Sequence, residues 1–138
     1  MVVTQESINE IFAYLHSFKD GTRTHHQGSI HTAIATGCGT SHCLAGWKAH
    51  DDYVKTIGEE PTYCDNFSHE LDSFIEAYKE QVPESDQQKF FMEWEYAQYK
   101  WGLSTIEADL LFVGELTLDE MFVNAAQIAE AHGLWVPA

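Results

Sequence analysis

Long apolar runs are missing from this chain of 138 residues, and none approaches the length of a membrane span. The first fifteen residues, "MVVTQESINEIFAYL", hold acids and a helical period rather than a basic region followed by an apolar core. These absences point to a cytoplasmic protein with no membrane partner. Positive charge is scarce as well: seven Lys and Arg, with Arg23 the one arginine, stand against 22 Asp and Glu, for a formal charge of −15. Such a surface repels phosphate backbones and anionic lipids, which argues against nucleic acid as a partner. Cysteines number three, at 38, 43 and 64, an odd count that suits a reducing compartment better than a disulfide framework and leaves at least one thiol free. Linkers, repeats and low-complexity stretches are absent too. One domain over 1–138 is therefore expected, long enough to bury a core without metal or disulfide.

What the chain does have is helical period. Thr4 is placed to cap a first helix in which Ile8, Ile11, Phe12, Leu15 and Phe18 fall on one face, ending near Asp20 and Gly21. Residues 21–40 are irregular and rich in turn formers, although 29–36 could pair as a short extended piece. A second helix, capped by Thr40 or Ser41, runs to about Ile57 with Cys43, Leu44, Trp47, Tyr53, Val54 and Ile57 as candidate inward positions. A third is expected over 66–82 and a fourth over 84–101, the latter stopped by Gly102. Ser104 with Glu107, and Thr117 with Glu120, are two capping-box patterns that open a fifth and a sixth helix. The fold class that follows is all-α: six helices, with a long irregular segment between the first two.

Chemistry concentrates in "GCGTSHCLAGW", residues 37–47. With Thr40 as cap, Cys43 takes the third helical position, where the dipole favours a thiolate and His31 or His42 could serve as base. The competing reading is an inert thiol packed under Trp47, the usual state of a free cysteine. A metal site for zinc or iron would draw on His31, Cys38, His42 and Cys43, with His25 and His26 nearby. These ligands, however, do not form the two well separated pairs of a zinc knot. A disulfide between Cys38 and Cys43 is permitted by the short separation and disfavoured by the compartment. The papain-like pattern fails, because four residues separate the two cysteines and the chain ends too early for that family's histidine. Gly46 inside a helix costs about 1 kcal/mol relative to alanine, so it needs a reason: close helix packing, or a ligand lying over it.

Other constellations are weaker. "HELDS" at His69 lacks the second histidine of a zinc-protease helix, and no Glu-x-x-His pair supports a di-iron bundle. Asp51 and Asp52, Glu59 and Glu60 read as solvated helix faces. Arg23, between two threonines, could meet an anionic group.

His31-Thr32 followed by "TSHCLAGW", together with "WGLSTIEADLLF" at 101–112, resembles a signature of small bacterial proteins of unknown function, in which His-Thr precedes Thr-x-His-Cys-x-Ala-Gly-Trp. The resemblance implies that His31, Thr32, Thr40, His42, Cys43, Gly46 and Trp47 form one local unit joined to the C-terminal helices. It brings no activity with it. The functional expectation is a small acidic binding or interaction protein, for a protein or small-molecule partner, with His31, Thr32, Thr40, His42, Gly46 and Trp47 as ligand-binding residues. Two alternatives stand beside it: the metal site just described, and an enzyme with Cys43 as nucleophile. Salt-sensitive mimicry of a nucleic acid is a remote further option suggested by charge alone.

Overall fold

The computed structural model describes residues 2–24, 31–33, 40–63, 68–83 and 92–137, with 31–33 and 40–42 as backbone. Among the described residues it is an all-α array of six helices. Helix α1 spans Gln5–Asp20 and starts where the Thr4 hydroxyl accepts the Ser7 amide at 3.1 Å. Its face of Ile8, Ile11, Phe12, Leu15 and Phe18 is buried as the spacing requires. Helix α2 spans Leu44–Ile57, α3 His69–Lys79, α4 Glu93–Trp101, α5 Thr105–Phe112 and α6 Leu118–Ala131. None of the described helices is long and apolar enough to cross a membrane.

Both capping boxes form, with Ser104 and Glu107 satisfying each other's amides at the head of α5, and Thr117 and Glu120 at the head of α6. Gly102 closes α4 at φ +74°, and a Cβ there would run into the carbonyl of Val2, so left-handed backbone and close approach both demand glycine.

Boundaries differ from expectation in three places. Ser68, rather than a residue near 66, caps α3 by accepting the Leu71 amide at 3.2 Å, and the helix ends at Lys79 instead of Val82. The first part of the expected fourth helix, 84–91, lies outside the described residues, and Met92 is extended, so α4 begins at Glu93. Between α1 and α2 the backbone forms a small antiparallel pair, β1 (His31–Ala33) with β2 (Thr40–His42), in the register His31 to His42 and Thr32 to Ser41. That pairing overlaps the extended piece expected over 29–36 and claims 40–42 as strand, so neither Thr40 nor Ser41 caps α2.

Packing divides into two clusters. The larger joins α1, the head of α2, the end of α4, α5 and α6 around Ile8, Leu15, Leu44, Leu111, Met121 and Trp101. The smaller lies among α2, α3 and α4, around Tyr53, Leu71, Ile75 and Tyr96, with Phe74, Tyr78 and Tyr99 on its edge. Trp101 is 2% exposed, and Trp94 packs edge-on against Phe112 at 5.6 Å, so both face the core. Ile57, expected inward, is exposed, because the apolar stripe of α2 gives out in its last turn.

Candidate functional site

Because β2 takes 40–42, the first residue free to cap α2 is Cys43. It is extended, at φ −73° and ψ 175°, and its Sγ accepts the Gly46 amide at 3.4 Å. This corrects the expected placement: Cys43 is the cap itself, not the third helical residue. The residue is 5% exposed. Burial pushes its pKa up to about 11, with the amides of Gly46 and Ala45 pulling the other way and losing, and the charge of Glu93 adding to the rise. At neutral pH the group is a protonated thiol, the opposite of an activated nucleophile.

Below the cap, α2 carries two polar corners set by helical spacing. On one side Trp47 donates its indole N–H to the Thr24 carbonyl at 2.7 Å, tying the head of α2 to the chain leaving α1. The Arg23 guanidinium sits 4.8 Å from the Tyr14 ring centre and 5.6 Å from that of Trp47, and its Nη2 donates to Asp51 at 2.9 Å. Tyr14 donates its hydroxyl to the same Asp51 oxygen, also at 2.9 Å. Burial and the Asp51 charge push the Tyr14 phenol far up, so it remains a donor. This Arg23 corner borders an open cavity of about 390 Å³ whose wall includes Glu10, Tyr14, Arg23 and Asp51.

On the other side His50, 7% exposed, shares a 2.8 Å hydrogen bond with the Tyr63 hydroxyl through Nδ1, and its ring meets Trp47 edge-on at 5.5 Å. Glu93, 3% exposed at the head of α4, lies close enough to raise both Cys43 and Tyr63. In both groups burial is the larger cause.

The residues singled out from the sequence fall as follows. His31 and Thr32 stand in β1, Thr40 and His42 in β2, and Gly46 and Trp47 in the first turn of α2. The register pairs the two motif histidines directly and leads straight into Cys43. Cys38, His25, His26 and Cys64 lie outside the described residues. No three His, Cys, Asp or Glu side chains gather into a potential metal site among the described residues.

Tyr14, His50, Tyr63 and Glu93 are not marked by the sequence, and Asp51, which reads there as a solvated acid, is paired here. One signal was present: Trp47 to Asp51 is four residues and Cys43 to His50 is seven, spacings that put each pair on one side of the helix. Tyr14, Tyr63 and Glu93 come from distant segments and leave no local pattern. Compared with family models, curated proteins and solved structures, the chain finds no match in any of the three.

Proposed function

We propose that this chain is a small acidic binding protein of the cytoplasm, and that its working unit is residues 25–47, anchored on α1 and α2 by Arg23, Tyr14, Trp47 and Asp51. The unit comprises the His31, Thr32, Thr40, His42, Gly46 and Trp47 positions of the signature it resembles. The observation that carries the reading is the Arg23 corner. A guanidinium held by two aromatic faces and a carboxylate fixes the root of the segment beside an open cavity of about 390 Å³, a volume suited to a small ligand.

The buried thiol, with its pKa near 11, favours binding over nucleophilic catalysis. The odd cysteine count favours a reducing compartment.

The test is an amide NMR screen against amino acids, amines, carboxylates and phosphates, paired with iodoacetamide labelling at pH 6. Binding that moves the amides of Tyr14, Arg23, Trp47 and Asp51, with Cys43 labelled no faster than a model thiol, is the expected result. Rapid labelling of Cys43 at that pH would replace this reading with the thiol enzyme.

A further inference from the structure

A second opening adjoins the first along α2, where α2, α3 and α4, with Glu6 and Glu10 of α1, bound a groove of about 450 Å³. Small-ligand sites run from roughly 300 to 1,000 Å³, so the size admits one or two fused rings. Part of its wall is aromatic, from Phe74 and Tyr78 of α3 and Tyr96 of α4, and most of the rest is charged or polar. Three lysines also line it, Lys48, Lys55 and Lys100, against Glu6, Glu10 and Asp52. In a chain where acids outnumber bases 22 to 7, this is a locally balanced spot.

The balance is not evenly distributed. Lys48, whose side chain is 9% exposed, holds both Glu10 and Asp52, the latter at 3.1 Å. Those two carboxylates are further occupied from inside, Glu10 by the Trp101 indole N–H at 3.1 Å and Asp52 by the Tyr96 hydroxyl at 2.7 Å. Lys55 and Lys100 have no carboxylate partner among the described residues. The Lys100 ammonium instead lies 4.8 Å from the Tyr78 ring centre and 6.0 Å from that of Tyr96. Thus Lys48 is shared between two carboxylates, and Lys55 and Lys100 are the two ammonium groups of the groove left to meet an anion, with exposed Glu6 and partly exposed Glu10 on the same wall. A surface lysine alone means little. Two of them without a carboxylate partner in so acidic a chain, on one groove with aromatic residues in its wall, describe a ligand.

We infer that the groove bounded by α2, α3 and α4 binds a planar aromatic anion of the aryl carboxylate class, its ring against Tyr78 and Phe74 and its charge met by Lys55 and Lys100. The chemistry is a charge-assisted hydrogen bond from each ammonium to a carboxylate oxygen, combined with ring stacking that a small inorganic anion cannot supply. The groove adjoins the cavity beside the Arg23 corner, sharing Glu10, Asp52 and Lys55 with it, and Lys100 lines only this one of the two openings.

The experiment is an amide NMR titration of the full chain with 2-naphthoate, with 2-naphthamide, 2-naphthylmethylammonium and inorganic phosphate as comparisons. Naphthoate is expected to move the amides of Tyr78, Gln81 and Lys100, which line the groove and not the Arg23 cavity, and to bind more tightly than the other three probes. Lys100→Gln should weaken it several-fold and Lys55→Gln with Lys100→Gln roughly tenfold. Both lysines are exposed, so the variants should melt close to the parent chain, which circular dichroism verifies. Equal binding of the amide or the ammonium compound overturns the inference, as does phosphate binding as tightly as naphthoate. An undiminished affinity in the double variant, or no binding of naphthoate at millimolar concentration, overturns it too. The Arg23 corner is read by different amides, those of Tyr14, Trp47 and Asp51, so its own reading stands or falls separately.

Discussion

The two clusters of the core are built by different means. Around α5 and α6 the side chains that meet are Leu111, Met121, Ala125 and Ile128, and each helix head is closed by its own capping box. Around α2, α3 and α4 the cluster is small and rich in tyrosine, and its hydroxyls reach for acids: Tyr96 to Asp52, Tyr53 to Glu70 at 3.3 Å. Burial and helix caps hold the first side. The second side needs its polar ends satisfied, since a buried hydroxyl or carboxylate without a partner costs what burial gains. The same difference explains where the openings lie: both border α2, whose polar face must be served, and an aliphatic interface leaves no such groups to serve.

If that contrast is right, truncation should cost most on the aliphatic side. Leu111→Ala removes a side chain with no exposure from a closely packed interior and should lower unfolding free energy by about 3–4 kcal/mol in urea denaturation. Ile75→Ala, equally buried but in the smaller cluster, has more room to relax and should cost about 2 kcal/mol. Equal costs would mean the two clusters are one core and would erase the distinction.

The hydroxyl and carboxylate network gives the next effect. Lys48→Met keeps the stem but leaves Glu10 and Asp52 facing each other without their cation, and should cost about 2 kcal/mol, because an uncompensated buried charge is worse than no charge. Adding Asp52→Asn to that variant should recover part of the loss. A double variant no more stable than Lys48→Met alone would show that Asp52 is held by Tyr96 rather than by charge.

The aliphatic side was also the legible side. Thr4, Ser104 and Thr117 announced their helices by local pattern, and the stripes of α1 and α6 repeat at helical spacing, so residues a few positions apart carried the information. The tyrosine side depends on pairs 17 to 44 residues apart, Tyr53 with Glu70 and Tyr96 with Asp52, which no local period reveals. At the candidate site, Trp47 and Arg23 stand out in the sequence by their chemistry, while Asp51 does not, because an acid on a helix looks solvated until its arginine is placed. The cap of α2 differs from the sequence expectation for a related reason. Thr40 and Ser41 are better cap residues than cysteine by propensity, but the pairing of β1 with β2, a tertiary choice, takes their backbone first.

The smallest effect tests whether the aliphatic side is as free of electrostatics as this contrast makes it. Glu107 closes the α5 capping box and also meets His132 just beyond α6, Oε2 to Nε2 at 2.6 Å. Burial pushes its carboxyl up, but the Ser104 amide and the His132 contact prevail and hold it below the usual glutamate range. A carboxyl whose folded pKa lies below its unfolded one stabilises the fold above the unfolded value, and that contribution is lost as pH falls through the folded value. Glu107→Gln retains a side-chain oxygen for the Ser104 amide and so removes the charge while sparing the cap. The variant should be less stable than the parent by about 0.5 kcal/mol at neutral pH, the size of a partly exposed ion pair. The two melting curves should converge as the pH is taken below the ordinary glutamate range. A difference that persists unchanged in acid would assign the contribution to cap geometry rather than charge, and the aliphatic side would then rest on packing and caps alone.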